Sequence, residues 1–482
     1  MKKNQIIILI LVMFFTFFLV FTPHFTNPFP IHIDEWHHIT ESIKLKQGDI
    51  APGLSGSEVG FHFILAVMSF FINLVTFYRF LPAFWAVISA LVLFWVVWKT
   101  SKNFFIAVFS MIFFISLKSN VNILGLWFFV PLTFSIPFIF LYVYFFKVGV
   151  ENESRKHLLL SLGIMVFLLF VHSISVLFAI PFLLIYSLFN FKSVKNQYKV
   201  FLWFLLIPFF GLLFFKFLTG VSFVGLFQEV FNALLFKRGW GVLEAKNSFF
   251  EFYSFAGFLL AFLGLIIILF YKEKRKKYLL FVIWPLSVLA SIFIFRVFGV
   301  SFLSPYQRNL YYFGIALPFL SAFGLFYVLR SAKVLISGLK INKGFKKNIY
   351  NISKIIIIVL VLFFAFKSYF FVPSNFLLYK ALDNDGLETL KFLAEFPGSK
   401  VMAPISISPA VFPVSGHEPV GTIFFYGSRA DVEGFFISED CILKNTIIVK
   451  HDVSYVLSDE QIDCDWNLIY YKNNYFIYKF GK

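Results

Sequence analysis

Charge is scarce in this chain, and acidic charge scarcer still. Asp, Glu, Lys and Arg make up 14% of 482 residues, 25 acidic against 42 basic. So little polar surface cannot cover a soluble globule in which 60% of residues are hydrophobic, with 76 phenylalanines and a mean hydropathy of +0.84. A P-loop, a fixed-period repeat and a low-complexity tract are all missing, which removes the usual signs of nucleotide handling and of repeat architecture. No small-residue cleavage site follows the first apolar run, Gln5 to Thr22. The bulky Pro23-His24-Phe25 stands there instead, so an uncleaved anchor is expected. The only two cysteines, Cys441 and Cys464, lie in the polar tail. They pair if the tail faces an oxidising compartment and stay free thiols otherwise, and sequence leaves both open.

What is present is apolar sequence in long windows. Eleven fit a membrane span: 5–22, 81–98, 103–117, 126–147, 157–172, 173–190, 199–218, 250–271, 278–299, 308–330 and 353–372. One apolar stretch, Val59 to Phe77, is left over. With eleven spans and the N-terminus inside, the cytoplasmic loops collect Lys99 and Lys102, then Lys147, Arg155 and Lys156, then Lys192, Lys195 and Lys199. They also collect the Lys272-to-Lys277 run and Lys333, Lys340, Lys343, Lys346 and Lys347. That is a positive-inside pattern, and a twelfth span at 59–77 would break it. The stretch is therefore read as a helix lying at the outer surface. The net charge of +17 is spent on orientation against anionic headgroups of the membrane lipids, and no nucleic-acid partner is expected.

The expected fold is an α-helical polytopic membrane protein of about 11 spans, residues 1–372, followed by a small extracytoplasmic α/β domain, residues 373–482. In that tail, Asp385 to Phe396 has helical spacing with Asp383 or Asn384 as cap. Lys400 to Ile405 and Ser454 to Leu457 read as strands, and Asn467–Tyr471 with Tyr475–Phe480 as a hairpin around Lys472-Asn473-Asn474.

In so apolar a chain, titratable groups at a membrane face carry information. The run Ile31-His32-Ile33-Asp34-Glu35-Trp36-His37-His38 puts two carboxylates and three histidines in the first outer loop, residues 23–80. If Asp34 to Lys46 is helical, Asp34 shares a face with His37 and His38, and Glu35 falls on a neighbouring face. A carboxylate there can act as general base on an acceptor hydroxyl or amide. Glycosyl transfer from a lipid-phosphate donor needs only that one base, because the phosphate leaves without protonation. A cation near the leaving phosphate stabilises its charge. Arg308, in Ser304-Pro305-Tyr306-Gln307-Arg308-Asn309 at the outer end of a span, is the first candidate. Lys237 and Arg238, in the loop 219–249, are the next, and Arg296 inside a span is a minor one.

The order of first span, outer loop with Asp34-Glu35-Trp36-His37, and apolar outer helix resembles the GT-C membrane glycosyltransferases, which use polyprenyl-phosphate-linked sugars. The motif is similar to the Asp-Glu-x-His of their protein O-mannosyltransferase branch. Gly48-Asp49, Gly60-Phe61-His62-Phe63, His172 at the tip of a helical hairpin, Tyr306-Gln307-Arg308 before Leu317-Pro318, and a tail opening on an amphipathic helix extend the likeness over nearly the whole chain. The resemblance implies Asp34 as catalytic base or acceptor-site carboxylate, with Glu35 beside it as the second catalytic candidate. It implies Arg308 on the donor phosphate. From the residues themselves, His37 and His38 read as interfacial polar groups, or as substrate-positioning groups or occasional metal ligands, and His62 and His172 as substrate-binding candidates. The resemblance departs at Lys118-Ser119-Asn120-Val121-Asn122, where metal-dependent relatives carry a second acidic motif, and in lacking a proline pair near residue 60. A divalent cation is therefore not favoured, unless Glu229, Glu244 or Glu251 serves instead.

The function expected is transfer of a hexose from a polyprenyl-phosphate sugar donor to a protein, glycan or lipid acceptor on the outer face, with inversion. A lipid-linked-sugar flippase and a non-catalytic assembly subunit are the alternatives. Bland readings stand beside each residue: a dipole-favouring acid pair at a helix start for Asp34 and Glu35, a satisfied buried histidine for His62 and His172, and a snorkelling end for Arg308.

Overall fold

A computed structural model describes residues 2–49, 58–119, 123–219, 225, 228, 231, 234–237, 249–340, 342–367, 380–423 and 427–480. Arg238, Glu229 and Glu244 lie outside the described residues. The chain divides into two compact units. One comprises Met1–Val20, Ala83–Trp127 and Pro131–Pro373; the other comprises Phe21–Pro82, Phe128–Val130 and Ser374–Lys482. The unit holding the tail therefore also takes in the first loop and its acidic motif.

The first unit is helical. Among the described residues of the chain, seven helices are long and apolar enough to cross a membrane: Lys3–Phe25, Leu74–Ser101, Pro131–Glu151, Arg155–His172, Lys272–Phe298, Tyr306–Gly338 and Gly344–Phe366. The four other expected windows carry Phe104–Ile115, Ile174–Phe189, Tyr198–Thr219 and Phe255–Phe270. Phe104–Ile115 falls short of its window because the side chain of Asn103 caps its start and Ser116 ends it. Tyr306–Gly338 is the central helix, buried along nearly its whole first two-thirds and packed by Phe104–Ile115, Phe255–Phe270 and Lys272–Phe298. Its crossing with Phe255–Phe270 is backbone on backbone. A Cβ placed on Gly264 would sit 2.1 Å from the Leu320 carbonyl, and one on Gly324 would sit 2.1 Å from the Leu260 carbonyl.

The leftover stretch folds as Val59–Met68, at ten residues about 15 Å of helix against a hydrocarbon core of about 30 Å. It cannot cross the membrane alone, which agrees with leaving it out of the span count.

In the second unit, the helix Ile33–Lys46 packs against Val59–Met68 and against Ser408–Ser415. The tail sheet runs in the order Glu418–Pro419, Lys400–Met402, Val453–Ser458, Tyr475–Lys479, Asn467–Lys472. Lys400–Met402 pairs parallel with Val453–Ser458, the two joined through Ser408–Ser415, Arg429–Ile437 and Cys441–His451. The last two strands form the expected hairpin, turning at Asn473 with a φ of 51°. The expected tail helix runs Asn384–Leu393, and of its two cap candidates Asp383 is the one that caps, accepting from the Gly386 N–H at 2.8 Å. Met402, Val432, Phe435 and Val456 are fully buried in the core beneath the sheet, each worth about 1.5–3 kcal/mol of apolar burial. Cys441 and Cys464 form a disulfide with a Cα separation of 5.8 Å, closing the question that sequence left open.

Candidate functional site

The acidic motif opens the helix Ile33–Lys46, and its own sequence explains why the helix begins there. His32 is the N-cap, and its Nδ1 accepts from the Asp34 N–H at 3.1 Å. Glu35, three residues on, reaches back so that one oxygen accepts from the N–H groups of His32 at 3.1 Å and Ile31 at 2.9 Å. This is a capping box with histidine in the usual Ser/Thr place. An antiparallel bridge between His32 and Lys380, with the Ala381 N–H bonded to the Ile31 carbonyl at 3.3 Å, fixes the residues before the cap.

The two motif carboxylates thus meet different fates. Glu35 is fully buried, and its second oxygen accepts from the Phe129 N–H at 2.9 Å. Burial pushes its pKa up to about 7, against the pull of those three backbone donors. Asp34 keeps a side chain 26% exposed, with Oδ2 3.6 Å from His32 Nδ1. Only Asp34 of the pair is reachable by another molecule.

One turn on, the structure brings three of the expected histidines together. His37 and His38 follow on the same helix, and His62 comes from Val59–Met68. His38 Nδ1 lies 2.9 Å from His62 Nε2, and His38 Nε2 lies 4.0 Å from Glu58. His37 is half-buried at the edge of the cluster, and burial lowers its pKa to about 3, with His62 adding to the effect.

Glu41 continues the stripe and was not anticipated, though its spacing of seven from Asp34 puts it on the same helical face. It is 2% exposed, and its Oε2 has no hydrogen-bond partner among the described residues. Burial raises its pKa to about 7, offset by Lys44 and reinforced by Asp49 and Glu418. His37, Glu41 and Lys44 line a cavity of about 450 Å³ together with Ser408, Glu418 and His451. Lys44 is tied across it to Glu418 at 3.0 Å. Glu58 and the tail's lining residues have no local signature, because tertiary packing alone brings them to the stripe, whereas the spacing of Glu41 was readable.

The other candidates belong to the first unit. Arg308 sits in the first turn of Tyr306–Gly338, within electrostatic reach of His172 at the end of Arg155–His172. His172 Nδ1 bonds Ser175 Oγ at 2.7 Å, which meets the Tyr312 hydroxyl at 3.2 Å, one turn beyond Arg308. Phe178 stacks on Tyr312 with centroids 3.7 Å apart. The turn entering the Arg308 helix is pinned by Asn309, whose amide donates to Ser301 Oγ at 2.9 Å and the Ser304 carbonyl at 3.2 Å. Lys237 is exposed, directly after a two-residue ribbon that pairs Leu235–Phe236 with Ser301–Phe302. Arg296 donates from Nε to the Tyr306 hydroxyl at 2.9 Å and lies over the Phe249 ring.

No family model matches the sequence, and no curated protein matches it. Solved structures do. The apo form of ArnT from Cupriavidus metallidurans aligns with a TM-score of 0.60 at 12% identity, covering 99% of this chain and 98% of that one. The same protein bound to undecaprenyl phosphate gives 0.59 at 11%, with the same coverage. The apo oligosaccharyltransferase of Archaeoglobus fulgidus gives 0.61 at 10%, covering 95% of this chain and 70% of that one. The chain has the GT-C fold, and at these identities the likeness speaks of architecture alone.

Proposed function

We propose that the chain is an integral membrane glycosyltransferase that moves a sugar from a polyprenyl-phosphate donor to an acceptor on the extracytoplasmic face. The fold it shares with ArnT and the archaeal oligosaccharyltransferase supports the class. Structures of those proteins hold undecaprenyl phosphate and dolichol-phosphate respectively.

The observation that carries the reading is the division of labour in the motif. Glu35 is consumed as a buried cap, while Asp34, next to it, stays partly open at the head of a polar helical stripe. Asp34 takes the acceptor proton as the new bond forms at the anomeric carbon. The bond from that carbon to the donor phosphate breaks on the opposite side, so the configuration inverts. The phosphate leaves as an anion and needs no acid. Arg308 is the donor-phosphate contact, with Lys237 and Arg238 as secondary cations and the His172–Ser175–Tyr312 relay setting the surroundings of Arg308.

The cavity bounded by His37, Glu41 and Lys44 receives the polar part of the acceptor. An outward-facing tail is supported by the positive-inside pattern and by the Cys441–Cys464 disulfide, a bond of oxidising compartments.

The test is transfer of radiolabel from polyprenyl-phosphate sugars by the purified protein, compared with Asp34→Asn. Transfer by the wild type with a loss on the order of 10²-fold or more in the variant is expected. Equal transfer by both would remove Asp34 from the mechanism and leave the class standing.

A further inference from the structure

We propose that His37, His38 and His62 bind a late divalent transition-metal ion, of which zinc fits best. Each of the three imidazoles offers a ring nitrogen, and these atoms all lie within 4.8 Å of one another. In a tetrahedral zinc site, with Zn–N near 2.0–2.1 Å, the ligand nitrogens stand about 3.3 Å apart and the ring centroids about 5.2 Å apart. Here the centroids are separated by 5.3 Å for His37 and His38, 5.2 Å for His38 and His62, and 6.0 Å for His37 and His62. Two of the three spacings already have that value, and the third exceeds it by about 0.8 Å.

The surroundings have the form of a metal site's outer shell. With His38 Nδ1 turned to the ion, its other nitrogen, Nε2, points toward the Glu58 carboxylate 4.0 Å away. Carboxylates hydrogen-bonded there fix the ring orientation of metal-bound histidines and raise their basicity, and at 4.0 Å Glu58 stands just outside that bond. Three protein ligands leave a fourth position, and His37 borders both the cluster and the cavity that Glu41 lines.

The donor set also resolves the argument from the missing acidic loop at Lys118-Ser119. That absence bears on ions held by oxygen ligands, such as magnesium and manganese. An all-imidazole site selects zinc or its neighbours and requires no second acidic motif. The ion would clamp Val59–Met68 to the helix that carries Asp34, fixing that helix's rotation three residues from the carboxylate.

The full-length protein in detergent, stripped with a chelator and titrated with Zn²⁺ or Co²⁺ alone, tests the site without recourse to any transfer activity. One equivalent should bind, and the Co²⁺ form should show the strong visible absorption of tetrahedral cobalt. His37→Asn and His62→Gln should each weaken binding at least tenfold, with Glu58→Gln weakening it less, while His157→Gln, in the first unit, should bind as wild type. Melting temperatures measured without metal identify any variant that fails to fold, and half-buried His37 remains informative if His62→Gln is lost. Failure of the wild type to bind a stoichiometric ion, or unchanged affinity in folded His37→Asn, would overturn the site and leave the transferase reading intact.

Discussion

The Glu35 carboxylate accepts a hydrogen bond from the Phe129 N–H at 2.9 Å, across 94 residues of sequence. With the N–H groups of Ile31 and His32 on its other oxygen, it satisfies three buried donors at once. Glu35→Ala strands all three, and each unsatisfied buried group costs about 1–3 kcal/mol. Loss of at least about 3 kcal/mol, or failure to accumulate in the membrane, is expected. Asp34→Asn should by contrast melt as wild type, because the Asp34 contact to His32 that shapes the helix start is made by its backbone N–H. Thermal unfolding of the two variants side by side checks the difference. Equal melting of Glu35→Ala and wild type would mean the cap is dispensable.

Glu41 makes stability depend on pH with a definite sign. Its pKa rises from 4.5 in the free side chain to about 7 in the folded protein. Between those values the unfolded chain has released a proton that the folded chain still holds, so the Glu41 contribution to stability is greatest below about pH 4.5 and falls until about pH 7. His37, with its pKa lowered to about 3, contributes the opposite slope with or without Glu41. Glu41→Gln removes that loss. The variant should equal wild type near pH 4.5 and exceed it at pH 8. Part of the slope survives through Glu35, whose pKa is raised over the same interval. Melting curves across pH 4–8 measure it, and a variant no more stable than wild type at pH 8 refutes the assignment to Glu41.

Much of this was legible in sequence, for reasons that particular residues make clear. All eleven apolar windows hold helices, because twenty apolar residues have few other ways to satisfy their backbone in lipid. The tail hairpin and the Asp383 cap followed from local turn and capping chemistry. The capping box is also readable, as His32 with Glu35 three residues on, yet histidine is an unusual cap and the same carboxylate reads equally as a catalytic candidate. What sequence could not supply is the company each motif residue keeps. His62 stands 24 residues from His38, and Pro409 accepts from Thr40 across 369, separations that only the packed chain closes. Arg308 and His172 each stand out singly in the sequence, whereas the Ser175–Tyr312 link near them has no local signature.

The crossing of Gly264 and Gly324 is a point where one methyl group decides helix packing. Alanine at either position brings its Cβ against a carbonyl oxygen of the facing helix at 2.1 Å, so the helices must separate. The Tyr253 hydroxyl, 2.9 Å from Ser321 Oγ, and the Ser321 bond to the Gly257 carbonyl lie along the same contact and would loosen with it. Each single Ala variant should lower the melting temperature. The double variant should cost less than the sum, since the first methyl already opens the gap that the second needs. Additive losses would show that the two glycines act separately.

The Cys441–Cys464 disulfide links positions 23 residues apart, and a loop of that length is worth about 3 kcal/mol in the chain-entropy account. Cys464 packs against the tail's apolar core, and Cys441 opens the helix whose Ile447 and Ile448 enter it. Replacing both cysteines with alanine should therefore destabilise the tail by about that amount, read as earlier proteolysis of residues 380–480 while the helical unit stays intact. The same bond reports which side the tail faces. In intact cells, a maleimide-polymer reagent should shift the protein's mass only after reduction, because an outward-facing tail keeps its thiols oxidised. No shift even after reduction, with labelling appearing only once the cells are lysed, would place the cysteines out of the reagent's reach on the inner side, and the orientation inferred from the lysine and arginine clusters would have to be inverted.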